Sequence, residues 1–366
     1  MKDLDPESLR SGRTIKSLMV RPVCVPMAPH RTASGEVTES PLVLTDIVLD
    51  SGVGHSVIFT YTRAALKPTA ELLSNMEPLL VGRSLAPLDL ETELSRRFRL
   101  LGTQGLVGMA LAAIDMALWD ALARERETSL VELLGGREQP VPIYGGVGYD
   151  GVLGSAEAAE RWARLGAWGV KAKIGYPTVD EDIEVIKAMR RAVGDDLAVM
   201  VDYNQSLDRN QALERLKRLE SEGLDWVEEP LLAHDYEGHA WLARQLDVPI
   251  QCGENWWGIL DMEHAVAAGA SDYVMPDAMK IGGVTGWLRA ADLAESHGIP
   301  VSSHLWPEIS AQLLCLTPTR HWLEYADWWN PVVAEPLVIS QGTISVDHVL
   351  GSGVEWNERA VEKYKI

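Results

Sequence analysis

Apolar positions along the chain fall first into two short runs of β character, Pro41–Asp50 and His55–Tyr61. Helical periodicity follows at Thr69–Leu80 and Leu88–Phe98, and again over the long stretch Gln104–Glu125. Buried positions recur about every 3.6 residues on a helix and every two on a strand, which separates the two readings. Strands followed by helices describe an α+β lobe over residues 1–135. Leu130–Leu134, followed by Gly135-Gly136, reads as a short helix closed by glycine.

From Val141 the pattern changes to a repeat. Short β-branched or apolar runs occur at Val141–Gly146, Val170–Ile174, Ala198–Tyr203, Asp225–Glu229, Pro249–Gly253, Asp272–Pro276, Pro300–His304 and His321–Tyr325. Amphipathic segments separate them, among them Ser155–Leu165, Val179–Ala192, Asn210–Glu222, Trp257–Ala268 and Val284–His297. Gly166, Gly223, Gly269 and Gly298 mark boundaries. Eight successive β-then-α units predict a (β/α)₈-type barrel over residues 136–329, because parallel strands need helical crossovers of one hand. The competing architecture is an open doubly wound sheet with Gly282-Gly283 as its nucleotide loop. No G-x-G-x-x-G follows the first strand, which disfavours it. The tail, residues 330–366, has β-type runs at Leu337–Ser340 and Thr343–Val346 but no further βα unit, and is expected to pack back on the first lobe.

Composition adds exclusions. Of 366 residues 46 % are hydrophobic and 23 % charged, an ordinary globular balance that excludes wholesale disorder. The net charge of −20 argues against nucleic acid and anionic membrane as partners, since both require basic surface. The start, MKDLDPESLRSGRT, has no apolar core of a signal peptide. The longest apolar stretch, Gly105–Ala123, is interrupted by Asp115 and Asp120, so no membrane span is expected. Cys24, Cys252 and Cys315 are far apart without a CxxC pair, which suits free thiols in a cytoplasmic protein.

In a barrel the chemistry sits where strands end. The run ends carry Lys171, Lys173, Asp202, Asn204, Glu228, Glu254, Asp277, His304 and Glu324. Asp202 to Glu228 and Glu228 to Glu254 are both 26 residues, about one βα unit, so neighbouring strands present carboxylates at one rim. Each acid alone reads as a cap or salt-bridge partner. Together the three repel unless a cation neutralises them, and hard oxygen ligands suit Mg²⁺, with Mn²⁺ able to substitute. Lys171 and Lys173, two apart on a strand, share a face, and two adjacent ammonium groups disfavour double protonation. One is then expected to be a base of lowered pKa and the other an anion binder. Asp277 and His304 end adjacent strands, where the carboxylate would fix the imidazole tautomer. Cys252 reads as packing. His234, His239 and His264 read as surface residues.

At these residues the sequence resembles the enolase superfamily, in its mandelate racemase subgroup. The resemblance runs through VKAKIGYP (170–177), VMVDYNQSLD (199–208), WVEEP (226–230), HDYEGH (234–239), GENWWG (253–258), MPDAMKIGGVTGW (275–287), SSHLW (302–306) and HWLE (321–324), with HSVIFTYT (55–62) in the first lobe. It implies an α/β fold made of an enolase-like α+β capping domain and a modified (β/α)₇β TIM barrel whose last strand lacks its helix. It also implies Mg²⁺ on Asp202, Glu228 and Glu254. Lys173 and His304, the latter paired with Asp277, become opposed bases at a substrate α-carbon. Lys171, Glu324 and Asn204 are expected at the substrate carboxylate, with Tyr61 and His30 reaching the substrate from the first lobe.

Removing a proton α to a carboxylate builds further negative charge on it, which Mg²⁺ and Lys171 offset. Bases on both faces permit racemisation of mandelate or a related 2-hydroxy acid, the reading favoured at this stage. With a 3-hydroxyl, His304 acting as acid gives dehydration, the alternative of an acid-sugar dehydratase. A metal-binding barrel without turnover is the minor reading. The sequence departs from the family's racemases in a polar capping loop, Met27–Val37, carrying His30, Arg31, Ser34 and Glu36. Gly146 stands where they have serine, and Tyr325 and Ala326 replace a larger apolar lining. The resemblance further implies a homo-oligomer, octamers being known in the family, and a small carboxylate as partner. With three ligands and Asp277 balanced by Mg²⁺ and two lysines, Glu324 is expected to be protonated beside a substrate carboxylate.

Overall fold

The computed structural model describes residues 7–32 and 35–366. Its first lobe has three antiparallel strands, β1 (Ile15–Thr32), β2 (Gly35–Leu49) and β3 (Val53–Phe59), in that order. Periodicity missed β1 because Pro22, Pro26 and Pro29 interrupt it. As an edge strand whose ladder is with β2, apart from a single bridge from Val23 to Lys365, it tolerates residues that have no N–H to donate. The expected capping loop is therefore the upper part of a β-hairpin, with Ser34 outside the described residues. Between Pro26↔Glu39 and His30↔Val37 the register shifts, and the bulge turns Met27, Ala28 and Pro29 toward the barrel mouth.

Helices α1 (Arg63–Ser74), α2 (Glu77–Leu80) and α3 (Pro87–Phe98) follow, so the segment expected as one helix at Thr69–Leu80 breaks at Asn75-Met76. Helix α4 (Gly105–Glu125) is long and apolar enough to cross a bilayer by length and composition, yet 89 % of its most apolar window is buried inside the protein. The two aspartates that interrupt it are fasteners. Asp115 accepts from Thr285 N and Oγ1 (3.0 and 2.6 Å) in the second domain. Burial pushes its carboxyl up to about 7 against those bonds. Asp120 accepts from His55 N of β3 (2.7 Å) and Ser352 N of the tail (2.6 Å). At Gly54, β3 crosses α4 so closely that a Cβ would lie 2.3 Å from Ala117 O. Gly54→Ala is expected to destabilise the protein by about 1–3 kcal/mol, seen as a lower urea midpoint at unchanged slope.

After the short α5 (Leu130–Leu133), strands β4 (Val141–Val147), β5 (Gly169–Lys173), β6 (Ala198–Asp202), β7 (Val227–Glu228), β8 (Ile250–Cys252) and β9 (Tyr273–Val274) pair in parallel, each with the next. The segment Pro300–His304 joins β9 through the bridges Val274↔Val301 and Asp277↔His304, and joins the far side through Val301↔Arg320. β10 (Leu323–Tyr325) then pairs in parallel with β4, closing the barrel at the eight expected positions. Seven helices line its outside: α6 (Gly151–Arg164), α7 (Val179–Val193), α8 (Arg209–Leu219), α9 (Tyr236–Ala243), α10 (Ile259–Ala268), α11 (Gly283–His297) and α12 (Pro307–Cys315). No helix follows β10 directly, so the fold is an enolase-like lobe on a (β/α)₇β barrel.

Helix α12 escaped the sequence reading because all its residues are buried, leaving no polar face to reveal the period. Missing α9 misplaced one histidine. His239 is buried, its Nδ1 3.1 Å from Asp235 O, and burial pushes its pKa down to about 4. His234 and His264 are exposed, as expected.

The barrel interior is layered by strand alternation. Tyr144, Met200 and Trp226 form a buried apolar layer, with Trp322 packed against it and the Tyr144 and Trp226 rings 5.5 Å apart. Two residues further along the same strands come Gly146, Asp202, Glu228 and Glu324. The aromatic floor excludes water from below the polar layer.

Past β10 the tail touches both domains. Strands β11 (Ile339–Ser340) and β12 (Thr343–Ile344) form a hairpin that pairs antiparallel with the start of β4. Trp356 Nε1 donates to Asp46 of β2 (2.7 Å), and α13 (Glu358–Tyr364) packs on β1.

Candidate active site

Asp202, Glu228 and Glu254 end β6, β7 and the turn after β8, and one oxygen of each lies within 4.8 Å of the others. Gly253 makes the last placement possible. At φ 141° it adopts a backbone that favours glycine, and a Cβ there would lie 2.9 Å from the Met275 backbone. Left-handed backbone also follows the other functional ends, at Asn204, Gln205, Glu229, Leu305 and Trp306. Such strain persists only where surrounding structure enforces it.

The triad is built for a cation. Burial, with Asp202 and Glu254 alongside, pushes the Glu228 carboxyl well above the usual range even against Lys171. Glu254 Oε2 is buried without an aligned hydrogen bond, though His304 Nε2 lies 3.1 Å away. Three buried oxygen donors gathered this closely suit Mg²⁺.

Lys171 lies at the centre of a buried ionic cluster: its Nζ is 2.7 Å from Glu228 Oε1 and 2.9 Å from Glu324 Oε1. Lys173 pairs with Asp202. Neither lysine shows the lowered pKa expected from their proximity. Burial works in that direction, but Glu228 and Glu324 outweigh it at Lys171 and Asp202 outweighs it at Lys173, so both pKa values rise. The same cluster acts on Glu324, the acid expected to be protonated once a substrate carboxylate lies beside it. Burial opposes its charge, yet Lys171 and then His304 hold its carboxyl down at about 2.

His304 Nδ1 is 2.7 Å from Asp277 Oδ2, the predicted pair. The other oxygen, Asp277 Oδ1, accepts from Met279 N (2.7 Å), Lys280 N (3.0 Å) and Trp306 Nε1 (3.0 Å), which locks the carboxylate. Burial disfavours the imidazolium, but Glu254, Asp277 and Glu324 outweigh it and raise the His304 pKa. Nδ1 being engaged, Nε2 is the atom that faces the site.

Lys171, Lys173, His304, Glu324 and His30 line one cavity of about 680 Å³ together with Gly146 and Trp328. Around the closed ring β4 and β10 separate the Lys173 strand from the His304 segment, so the two groups address the cavity from different sides. His30 packs against Trp328 (ring centroids 5.0 Å), and burial pushes its pKa down to about 4. The other two residues expected at the substrate have protein partners beside the triad. Asn204 Nδ2 donates to Asp202 Oδ2 (3.0 Å), and Tyr61 lies over Lys280, whose Nζ is 4.7 Å from its ring; neither lines this cavity. The sequence reading missed Glu229, Asn255 and Lys280, a buried network behind the triad. Their only signal was a polar residue directly after Glu228 and Glu254 and another three residues after Asp277.

A carboxylate triad, two lysines and an Asp–His pair at the mouth of such a barrel define a metal-dependent enzyme of the enolase type. Residues 154–360 match the enolase C-terminal domain-like family, and residues 15–135 match the mandelate racemase / muconate lactonizing enzyme N-terminal domain. The chain belongs to the mandelate racemase / muconate lactonizing enzyme family of the enolase superfamily. The L-talarate/galactarate dehydratase of Salmonella typhimurium is 32 % identical over 359 residues, 94 % of this chain and 88 % of that one. The D-galactarolactone cycloisomerase of Agrobacterium fabrum is 30 % identical, covering 92 % and 95 %. A Bradyrhizobium enolase crystallised with magnesium and mandelic acid superposes with a TM-score of 0.94 at 42 % identity, covering 97 % of this chain and 99 % of that one. With magnesium in such relatives and a fitting donor set here, Mg²⁺ is the metal of this site.

Proposed function

We propose that this enzyme is an acid-sugar dehydratase, which removes the α-proton of a sugar carboxylate and expels the neighbouring hydroxyl as water. The observation that carries the proposal is the placement of Lys173 and of His304, held by Asp277, on one cavity, each against a carboxylate of the triad. Sugar-acid dehydratases and cycloisomerases among the relatives support it over racemisation. So does the cavity wall: a Cβ at Gly146 would meet nothing within 4 Å, leaving room for a hydroxylated chain.

Asp202, Glu228 and Glu254 would hold Mg²⁺, which when bound supplies positive charge to the substrate carboxylate as negative charge grows there. Lys171 adds a second, buried cation at the same carboxylate, and Glu324 orients Lys171. With Asp202 drawn to the metal, Lys173 would lose the counter-charge that keeps it protonated. As the neutral amine it takes the α-proton, the electron pair of the broken C2–H bond forms the C2–C3 double bond, and the C3–O bond breaks as the His304 imidazolium gives that oxygen its Nε2 proton. Water leaves, and the enol reketonises by protonation at C3 to a 2-keto-3-deoxy acid. Each positioned acid or base contributes about 10²–10⁴-fold.

Racemisation of mandelate remains the second reading, because the mandelic acid complex at 42 % identity favours it. A Mg²⁺-supplemented screen of aldarates, aldonates and both mandelate enantiomers separates the two. The expected result is a 2-keto product from a sugar acid. Loss of optical rotation from mandelate with no keto product from any sugar acid would overturn the dehydratase reading. Three free, buried cysteines accord with a cytoplasmic setting.

A further inference from the structure

Behind the triad, Asn255 touches three charged groups. Its Nδ2 donates to Glu254 Oε1 (3.0 Å) and to Glu229 Oε2 (2.6 Å), while its Oδ1 accepts from Lys280 Nζ (2.6 Å). An ammonium only donates and a carboxylate only accepts, so one orientation of the Asn255 amide satisfies all three neighbours. Lys280 is itself held from two directions. Its backbone N–H donates to Asp277, the partner of His304, and Tyr61 of the first lobe lies over its ammonium, with Trp257 at 6.0 Å. Glu229 is fully buried, and burial, with Glu254 and Asp202 alongside, pushes its carboxyl well above the usual range; its Oε1 has no hydrogen-bond partner and so does not restrain the amide.

We propose that Lys280 and Asn255 are positioning residues that fix the Glu254 carboxylate for Mg²⁺, and that Tyr61 ties this setting to the docking of the first lobe. Without the ammonium, nothing holds the Asn255 oxygen on its far side, so the side chain loses its anchor and its amide no longer fixes the Glu254 carboxylate in one position. The inference rests on the Mg²⁺ site described above.

Its test is Mn²⁺ binding to the metal-free protein, followed by the electron paramagnetic resonance of free Mn²⁺, with no substrate present. Lys280→Met and Asn255→Leu are each expected to weaken binding about 10–100-fold, the usual cost of removing support from a metal ligand. Because both act through one chain of contacts, the double variant is expected to bind about as weakly as the weaker single one. Tyr61→Ala is expected to cost about two- to fivefold, in line with loss of one cation–π contact. If Lys280→Met does not fold, Asn255→Leu and Tyr61→Ala carry the same comparison. Binding within twofold of wild type in a Lys280→Met protein that melts cooperatively overturns the proposal and leaves the metal site standing. A wild-type protein that takes up no Mn²⁺ overturns both.

Discussion

Substituting His304 by asparagine is expected to lower dehydration by about 10²–10⁴-fold while leaving exchange of the α-proton with solvent deuterium measurable. The asymmetry follows from where the two groups sit. His304 Nε2 enters the cavity from the segment after β9 and Lys173 Nζ from β5, with two strands between them. Asparagine keeps an amide near Asp277 Oδ2 but cannot deliver a proton to a departing hydroxyl. Lys173, paired with Asp202 in this structure, still reaches its own side of the α-carbon. With mandelate the same logic makes exchange survive for one enantiomer only. If exchange and turnover vanish together in a folded variant that still binds Mn²⁺, the division of labour between Lys173 and His304 fails. Exchange lost in Lys173→Met but retained in His304→Asn supports it.

The second large effect concerns Glu228. Mg²⁺ at 100 times its dissociation constant is expected to stabilise the wild-type fold by about 2.7 kcal/mol, visible as a rise of a few degrees in Tm. Glu228→Gln should remove most of that rise and depress turnover at least 10²-fold. Glu228 accepts from Lys171 with both oxygens (2.7 and 2.9 Å), so it is a lysine partner as well as a proposed ligand. The glutamine retains an acceptor for Lys171 and relieves the crowding of three buried carboxylates. The variant is therefore expected to melt close to metal-free wild type. Equal Mg²⁺-induced rises in variant and wild type would remove Glu228 from the ligand set.

Much of this architecture was legible in the order of residues. The barrel strands fell at the predicted positions because a strand of a closed barrel is short, apolar and β-branched, and its glycine or proline boundaries lie within the segment itself. The carboxylate triad was legible because the βα repeat carries a regular spacing from Asp202 through Glu228 to Glu254. Elements whose pattern depends on what surrounds them were not. Strand β1 reads as a proline-broken loop until β2 pairs with it, and α12 has no polar face because it is enclosed on all sides. The order of racemisation and dehydration is not legible in the motifs around the bases, which racemases and dehydratases of one family share. The dehydratase proposal leans on sugar-acid relatives over nearly the whole chain, with the mandelic acid complex on the side of racemisation.

Protonation depends on counter-charges that spacing along the chain does not show. Lysines two residues apart on a strand invite a lowered pKa, but the fold brings Asp202 to Lys173 and Glu228 with Glu324 to Lys171, and these counter-charges reverse the sign. Asn204 and Tyr61 make contacts in the fold that spacing along the chain does not foresee. Asn204 holds a metal ligand, and Tyr61 covers the lysine that orients another. By itself the sequence determined the repeat, the rim on which the chemistry lies and the kind of ion that rim would hold. Each of those depends on residue type and spacing along one chain. Only the tertiary structure decided which carboxylate neutralises which lysine and which amide faces which ligand. Electrostatic energy and hydrogen-bond geometry depend on through-space distance, and residues far apart in the chain meet only once the barrel has closed.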